Sequence, residues 1–335
     1  MLLKHAPARS PDALLKFNPN HEPAGSPQGG QFASSGGGSS GGSTKAQGSH
    51  AAHEAHLSHE QMHALASDHD MATAFHGFPR IDGLSEKDQV IEDKSIYRYL
   101  TDRSGLMKEY YQNNGNKVAN ADQARPLFKP EGYNGINSPA VHEASSALNK
   151  DIWRNNLATN PEKEAWLYAG GSGSGKTSAI EHTIPGIQDR AAAILDGNLS
   201  GIKSAMDRIA EAGRAGKDVQ IAYVYRDPTD AWENGVIKRM LGNPKEGGRV
   251  VAMSTFLSNT GPSLDTVRAL KAQGVKVTAI DNSRGKGGQR IMSGAEFDRL
   301  SVPSKAELRP QLMAATERLL NSGKISREQY HALIQ

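Results

Sequence analysis

Apolar and polar positions change rhythm twice along this chain. From residue 94 to about 160 the apolar residues fall at helical intervals, with Ile96, Tyr99, Leu100 and Leu106 in KSIYRYLTDRSGLMKEYYQ, where Gly105 reads as a break. NGNKVANAD then reads as a turn and a short strand. Ser138-Pro139 predicts a helix start, with Val141, Ala144, Leu148 and Ile152 on its inner face. From 165 onward, short apolar runs alternate with helical patterns. AWLYA, AAAILD, VQIAYVY and VKVTAI read as strands. Between them lie SAIEHTI, LDTVRALKAQG ending in glycine, and SGIKSAMDRIAEAG, capped by Ser200 and closed by Gly213. Ile202, Ala205, Met206 and Ile209 share one side of that last helix. This alternation predicts an α/β fold with a mostly parallel sheet flanked by helices. Residues 305–334 read as two helices around Asn321-Ser322-Gly323, with Ser326 and Gln329 forming a capping box for the second.

The first third differs. Residues 1–49 read as a flexible Gly/Ser-rich arm, because PNHEPAGSPQGGQFASSGGGSSGGSTKAQG has too little to bury to offset its ordering entropy. Residues 50–115 read as a helical extension, 116–300 as the α/β domain and 301–335 as a helical tail. His50, His53, His56, His59, His63, His69 and His76 crowd into 50–76. Their spacing fits either a metal-binding helix face or a polar amphipathic helix with Leu57, Met62 and Leu65 turned inward; no carboxylate or cysteine arrangement completes a ligand set.

Composition narrows the picture. The chain has 335 residues, 39 Lys+Arg against 36 Asp+Glu, and no cysteine. Near-balanced charge makes a nucleic-acid partner a poor expectation. The lack of cysteine excludes disulfides and thiolate metal sites, and fits an intracellular, cytoplasmic protein. MLLKHAPARS is too polar for a secretory core, and no apolar run approaches the ~20 residues of a membrane span.

The chemistry sits in LYAGGSGSGKTSAI. Gly170, Gly171, Ser172, Gly173, Ser174, Gly175, Lys176 and Thr177 fit G-x-x-x-x-G-K-[ST], between a strand and a helix. Small residues let backbone N–H groups wrap phosphate, and the following helix adds its positive end. Lys176 would reach the β- and γ-phosphates of ATP, and Thr177 would hold Mg²⁺. A flexible linker needs neither the Lys-Thr pair nor those flanks. The loop does not choose a reaction, because motors, switches and kinases share it. A kinase also needs an acid to take the acceptor's proton. Only one helix separates Lys176 from the strand ending at Asp196, so the acid is sought upstream: Asp122 follows the strand of KVANADQARPLF, with Arg125 three residues later. By residue type alone, a helix-capping turn is the better reading of Asp122.

Here the sequence resembles the zeta toxin family of P-loop kinases, over roughly 95–295. Asp122-Gln123-Ala124-Arg125 is similar to its D-x-x-R motif at a strand end, LFKPEGY to the turn after it and HEASSALNKDIW to the next helix. Asp196-Gly197-Asn198 is similar to its E-G-T segment, and VQIAYVYRDPTDAWENGVIKRM to a later strand and lid helix. GRVV and VTAIDNS resemble segments of a phage- and plasmid-associated branch. The order departs from the family: the acid segment precedes the phosphate loop, as in a circular permutation, which a parallel sheet can survive if its connections are rerouted.

The resemblance implies ATP-dependent transfer of the γ-phosphoryl, with Mg²⁺, to a hydroxyl of a UDP-N-acetyl amino sugar. It implies Asp122 as base, Asp196 beside Thr177 at the metal, Arg239 and Arg249 as lid arginines on the moving phosphoryl, and Arg125 and Asn198 as acceptor contacts. Asp196 reads equally as an ordinary strand-end acid, and the two arginines as solvated surface residues. Arg226 reads as a local partner of Asp227 or Asp230. An inhibitor or antitoxin protein is implied as a partner; alternatively, residues 50–115 cover the acceptor cleft themselves. NPNHEPAGSPQGGQFAS resembles a tail of phage head proteins, so attachment of the arm to a phage particle, and a virion-associated protein that only binds nucleotide, is a rival reading. A kinase or NTPase with another acceptor is a second.

Overall fold

The computed structural model describes residues 56–242 and 249–335. The Gly/Ser-rich arm, the phage-like stretch, His50, His53 and most of the segment between Arg239 and Arg249 lie outside the described residues.

Six strands form one sheet: β1 (Val118–Ala119), β2 (Glu164–Ala169), β3 (Ala191–Asp196), β4 (Asp218–Tyr225), β5 (Lys276–Asp281) and β6 (Arg290–Ile291). Their spatial order is β1-β3-β2-β4-β5-β6. All pairs are parallel except β5 with β6. The four long strands are nearly continuous apolar runs because helices cover both faces of a parallel sheet. Helices pack on this sheet as the alternating pattern predicts, so the α/β class holds.

Parallel pairing aligns the C-terminal ends of β1 to β5 along one edge, the usual ligand edge of such sheets. Ala119 lies opposite Leu195, and Tyr168 opposite Asp196. The short strand before Asp122 therefore flanks β3, two positions from the strand that feeds the glycine loop 170–175. Sequence distance becomes spatial proximity.

The helical region 86–114 backs this edge. Asp102, not Gly105, breaks it, into Glu86–Thr101 and Arg103–Asn114. Gly105 sits inside the second helix, where the Asp102 carboxylate folds over it. Tyr110 is fully buried; its hydroxyl donates to Val118 O at 3.1 Å and accepts from Asn120 N at 3.0 Å. One phenol thus pins both ends of the turn that leads to Asp122.

Three expected helix ends are corrected. Ser138 caps nothing: it opens a 3₁₀ turn (Ser138–Val141) and donates to Gly135 O, and the α-helix starts at His142. Ser200 donates to Asn259 instead of capping, and that helix runs Ile202–Arg214, with Gly216 in the left-handed region just past it. The helix expected from Leu264 begins at Met253, eleven residues earlier. Near the N-terminus, the helices His59–Ser67 and His69–His76 bury Leu65 but leave Met62 exposed. No group of three or more metal-capable side chains occurs among the described residues.

The C-terminal helices Lys305–Asn321 and Arg327–Ile334 match expectation, capping box included. Leu308, Leu312 and Leu333 close a core with Trp232, Met253 and Phe256. Trp232 donates its indole N–H to Thr316 Oγ1 at 3.1 Å. That core fixes the segment that follows β4, which in turn touches the glycine loop at Gly173. No helix among the described residues is long and apolar enough to cross a membrane.

Candidate active site

Residues 170–175 form the loop between β2 and the helix Lys176–Thr183. Gly175 caps that helix in the left-handed conformation (φ 75°), and a Cβ there would stand 2.7 Å from Asn282 Nδ2. Only glycine fits both demands. Asn282, at the end of β5, donates to Ser174 O at 2.7 Å. Ser263, fully buried, accepts from Gly170 N at 3.0 Å and donates to Asn198 O at 2.5 Å. The loop is thus tied to the ends of β3 and β5.

A third support is a π-helical turn, Trp232–Ile237. A Cβ on its Gly235 would lie 2.2 Å from Gly173 O, and one on Gly173 would lie 2.3 Å from Ala231 O. Two backbones meet there with no room for a side chain. Arg226 pairs with Asp230, one of its two expected partners, and also donates to Gly173 O at 3.2 Å. Asp227 instead caps the short helix beside it.

Lys176 Nζ donates to Gly170 O, Gly171 O and Asn198 Oδ1 at 3.2–3.3 Å. Asn198, expected at the acceptor, here contacts the loop lysine. Burial pulls the Lys176 ammonium below the ordinary lysine value; Asp196 and Asp122 oppose this, while Arg239 and Arg249 add to it. Thr177 Oγ1 lies 3.4 Å from Asp196 Oδ2, which also accepts from Asn120 Nδ2 at 2.9 Å. Burial raises the Asp196 pKa, and Asp122 raises it further, against Lys176. A hydroxyl and a carboxylate this close suit a magnesium ion, which keeps most of its shell for water and phosphate.

Asp122 stands beside this cluster. One carboxylate oxygen pairs with Arg249; the other pairs with Arg125 at 3.0 Å. Asn120 caps the turn, accepting from Asp122 N at 2.8 Å. Burial alone would raise the Asp122 pKa, but Arg249, Arg125, Arg239 and Lys176 together bring it down to about 2. The structure therefore brings Asp122, Arg125, Asp196, Lys176, Arg239 and Arg249 into one electrostatic group.

A triphosphate fits these donors. At Gly170, Gly173 and Gly175 the loop backbone packs so closely on Val224, Ala231 and Asn282 that no Cβ fits, which holds the loop in one shape. Arg125 Nε, Arg249 Nε and Ser174 Oγ are buried without hydrogen-bond partners. Four cations face two carboxylates, which leaves an excess of positive charge for an anionic ligand.

Tyr110, Ser263, Asn282, Gly235 and His142 were not singled out by motif reasoning. None belongs to the phosphate-loop pattern; each acts through tertiary contact. Only Asn-Gly at 234–235 carried a local signal, that of a turn.

Compared with models of protein families and with curated proteins, the sequence matches none.

Proposed function

We propose that the protein is an ATP-dependent kinase of zeta-toxin-like type. It would transfer the γ-phosphoryl to a hydroxyl of a UDP-N-acetyl amino sugar, on a P-loop kinase-like fold with rearranged strand order. The observation that carries this reading is that Asp122, ion-paired with Arg125 and Arg249, stands at the same C-terminal sheet edge as the glycine loop and the Thr177–Asp196 pair. A phosphate-binding lysine and an acid that share one field meet the two needs of a hydroxyl kinase.

The roles follow from the donor set. Loop amides and Lys176 hold the phosphates, and Thr177 with Asp196 would hold Mg²⁺. When bound, that ion neutralises phosphate charge. Arg239 and Arg249 balance the charge that spreads over the moving phosphoryl. As the acceptor oxygen bonds to the γ-phosphorus and the bond to ADP breaks, Asp122 takes the hydroxyl proton. At a pKa of about 2 it is a weak base, but it is ionised at neutral pH. In a loose transition state the proton moves late, so alignment matters more than basicity.

Incubation with ATP, Mg²⁺ and a panel of nucleotide sugars, read by mass, tests this. A phosphorylated nucleotide sugar supports the reading. Free phosphate alone, or no product, refutes it.

A further inference from the structure

His142 sits where the candidate chemistry has no assigned use for it. It is the first residue of the helix His142–Thr159, placed by the 3₁₀ turn before it. Its side chain is 46% exposed, so it stands at the rim of the site. Its Nδ1 lies 3.2 Å from Arg125 NH2. A guanidinium only donates, so that ring nitrogen must carry its lone pair, and the proton of the neutral ring belongs on Nε2. Arg125 itself is 7% exposed and spans two partners, Asp122 on NH1 and His142 on NH2. A buried cation held at both ends cannot swing.

We propose that His142 is a positioning residue: its neutral imidazole locks the Arg125 fork against Asp122, and so sets the alignment of the acid toward the acceptor. This rests on the kinase reading and adds a control within the same site.

The charges around the ring give the sign. Arg125 and Asp122 face it from the segment after β1, Arg249 from across the site, and Glu143 from its own helix, 3.9 Å from Nε2. Partial desolvation of the ring's inner side, then Arg125, push its pKa below the ordinary histidine value, against the pull of Glu143 and Asp122. Protonation of Nδ1 sets two positive groups face to face and removes the acceptor for Arg125. The fork is then held at one end only, and acceptor use declines as pH falls through the histidine value.

The test joins a titration that needs no turnover to steady-state kinetics on the full chain. Nitrogen-15 NMR of the wild-type imidazole should show the Nε2–H tautomer, and a titration midpoint that rises in Arg125→Met. With ATP, Mg²⁺ and UDP-N-acetylglucosamine, His142→Ala should lower kcat/KM for the acceptor about tenfold, with ATP affinity unchanged within about twofold. His142→Asn offers Oδ1 to Arg125 and cannot titrate. It should recover most of the activity and lose the acid limb of the pH profile. An acid limb that persists in His142→Asn, a midpoint indifferent to Arg125, or an equal loss of ATP affinity would overturn the proposal. If the wild type labels no acceptor, the kinase reading fails and this role with it; the imidazole titration separates that failure from a missing contact.

Discussion

Asp122 and Arg249, 127 residues apart in the chain, form an ion pair at the C-terminal edge of the sheet. The pair ties the segment after the edge strand β1 to a segment that enters from beyond β4. It also sets the charge state of the candidate base. With Arg249→Gln, the Asp122 pKa should rise from about 2 toward the ordinary aspartate value, as read by carboxyl ¹³C titration. The linkage sign follows. A depressed carboxylate contributes stability above its unfolded value of about 3.9, and loses it as pH falls through the folded value. The variant should therefore unfold at a higher pH than the wild type on acidification. An unchanged acid midpoint would count against the ion pair.

Lys176 Nζ donates to two backbone carbonyls and to Asn198, contacts that phosphate oxygens would replace. Lys176→Met should keep the fold and lower ATP affinity by about 100-fold or more, since it removes a buried charge-assisted contact. Isothermal calorimetry decides it. ATP affinity equal to the wild type would remove the phosphate loop from the account.

Two glycine substitutions should differ in sign. In Gly235→Ala the new methyl would overlap the Gly173 backbone at 2.2 Å, so both Tm and ATP affinity should fall. Gly213, exposed inside the helix Ile202–Arg214, has nothing within 4 Å of a built Cβ. Gly213→Ala should raise stability by about 0.5–1 kcal/mol and leave nucleotide binding alone. Thermal unfolding with and without ATP reads both.

Tyr110→Phe removes one hydroxyl and leaves Asn120 N and Val118 O without that partner in a buried turn. The expected cost is about 1–3 kcal/mol of stability. Transfer should decline more than ATP affinity, because the turn carries Asp122 and not the phosphate loop. Equal loss of both would mean that the helices 86–114 serve the fold alone.

The five parallel strands were legible in the sequence as short apolar runs punctuated by glycine, but β6 was not, because Arg290–Ile291 is only two exposed residues long. The glycine loop 170–177 was legible because the phosphate binding proposed for it demands residue types at fixed spacing. What the pattern hid has physical reasons. The helix was expected only from Leu264, after Gly261 and Pro262, which are poor helix residues; packing of Phe256, Leu257 and Leu264 carries it through them. That error concealed Ser263, which joins the loop to Asn198. The π turn at 232–237 has no sequence period of its own; Trp232 anchors it in the core shared with the C-terminal helices, donating to Thr316. Met62 was placed inward by helical spacing, but the helix there is only nine residues long and buries Leu65 alone.

The central claim is that Asp122 serves the acceptor while a different segment holds the nucleotide. The most direct measurement is single-turnover transfer from γ-labelled ATP to UDP-N-acetylglucosamine by wild type and Asp122→Asn, with ATP affinity determined on the same samples. The account predicts that the variant binds ATP within about threefold of wild type and loses transfer by a factor of about 10² or more. Transfer by the variant at the wild-type rate would contradict it.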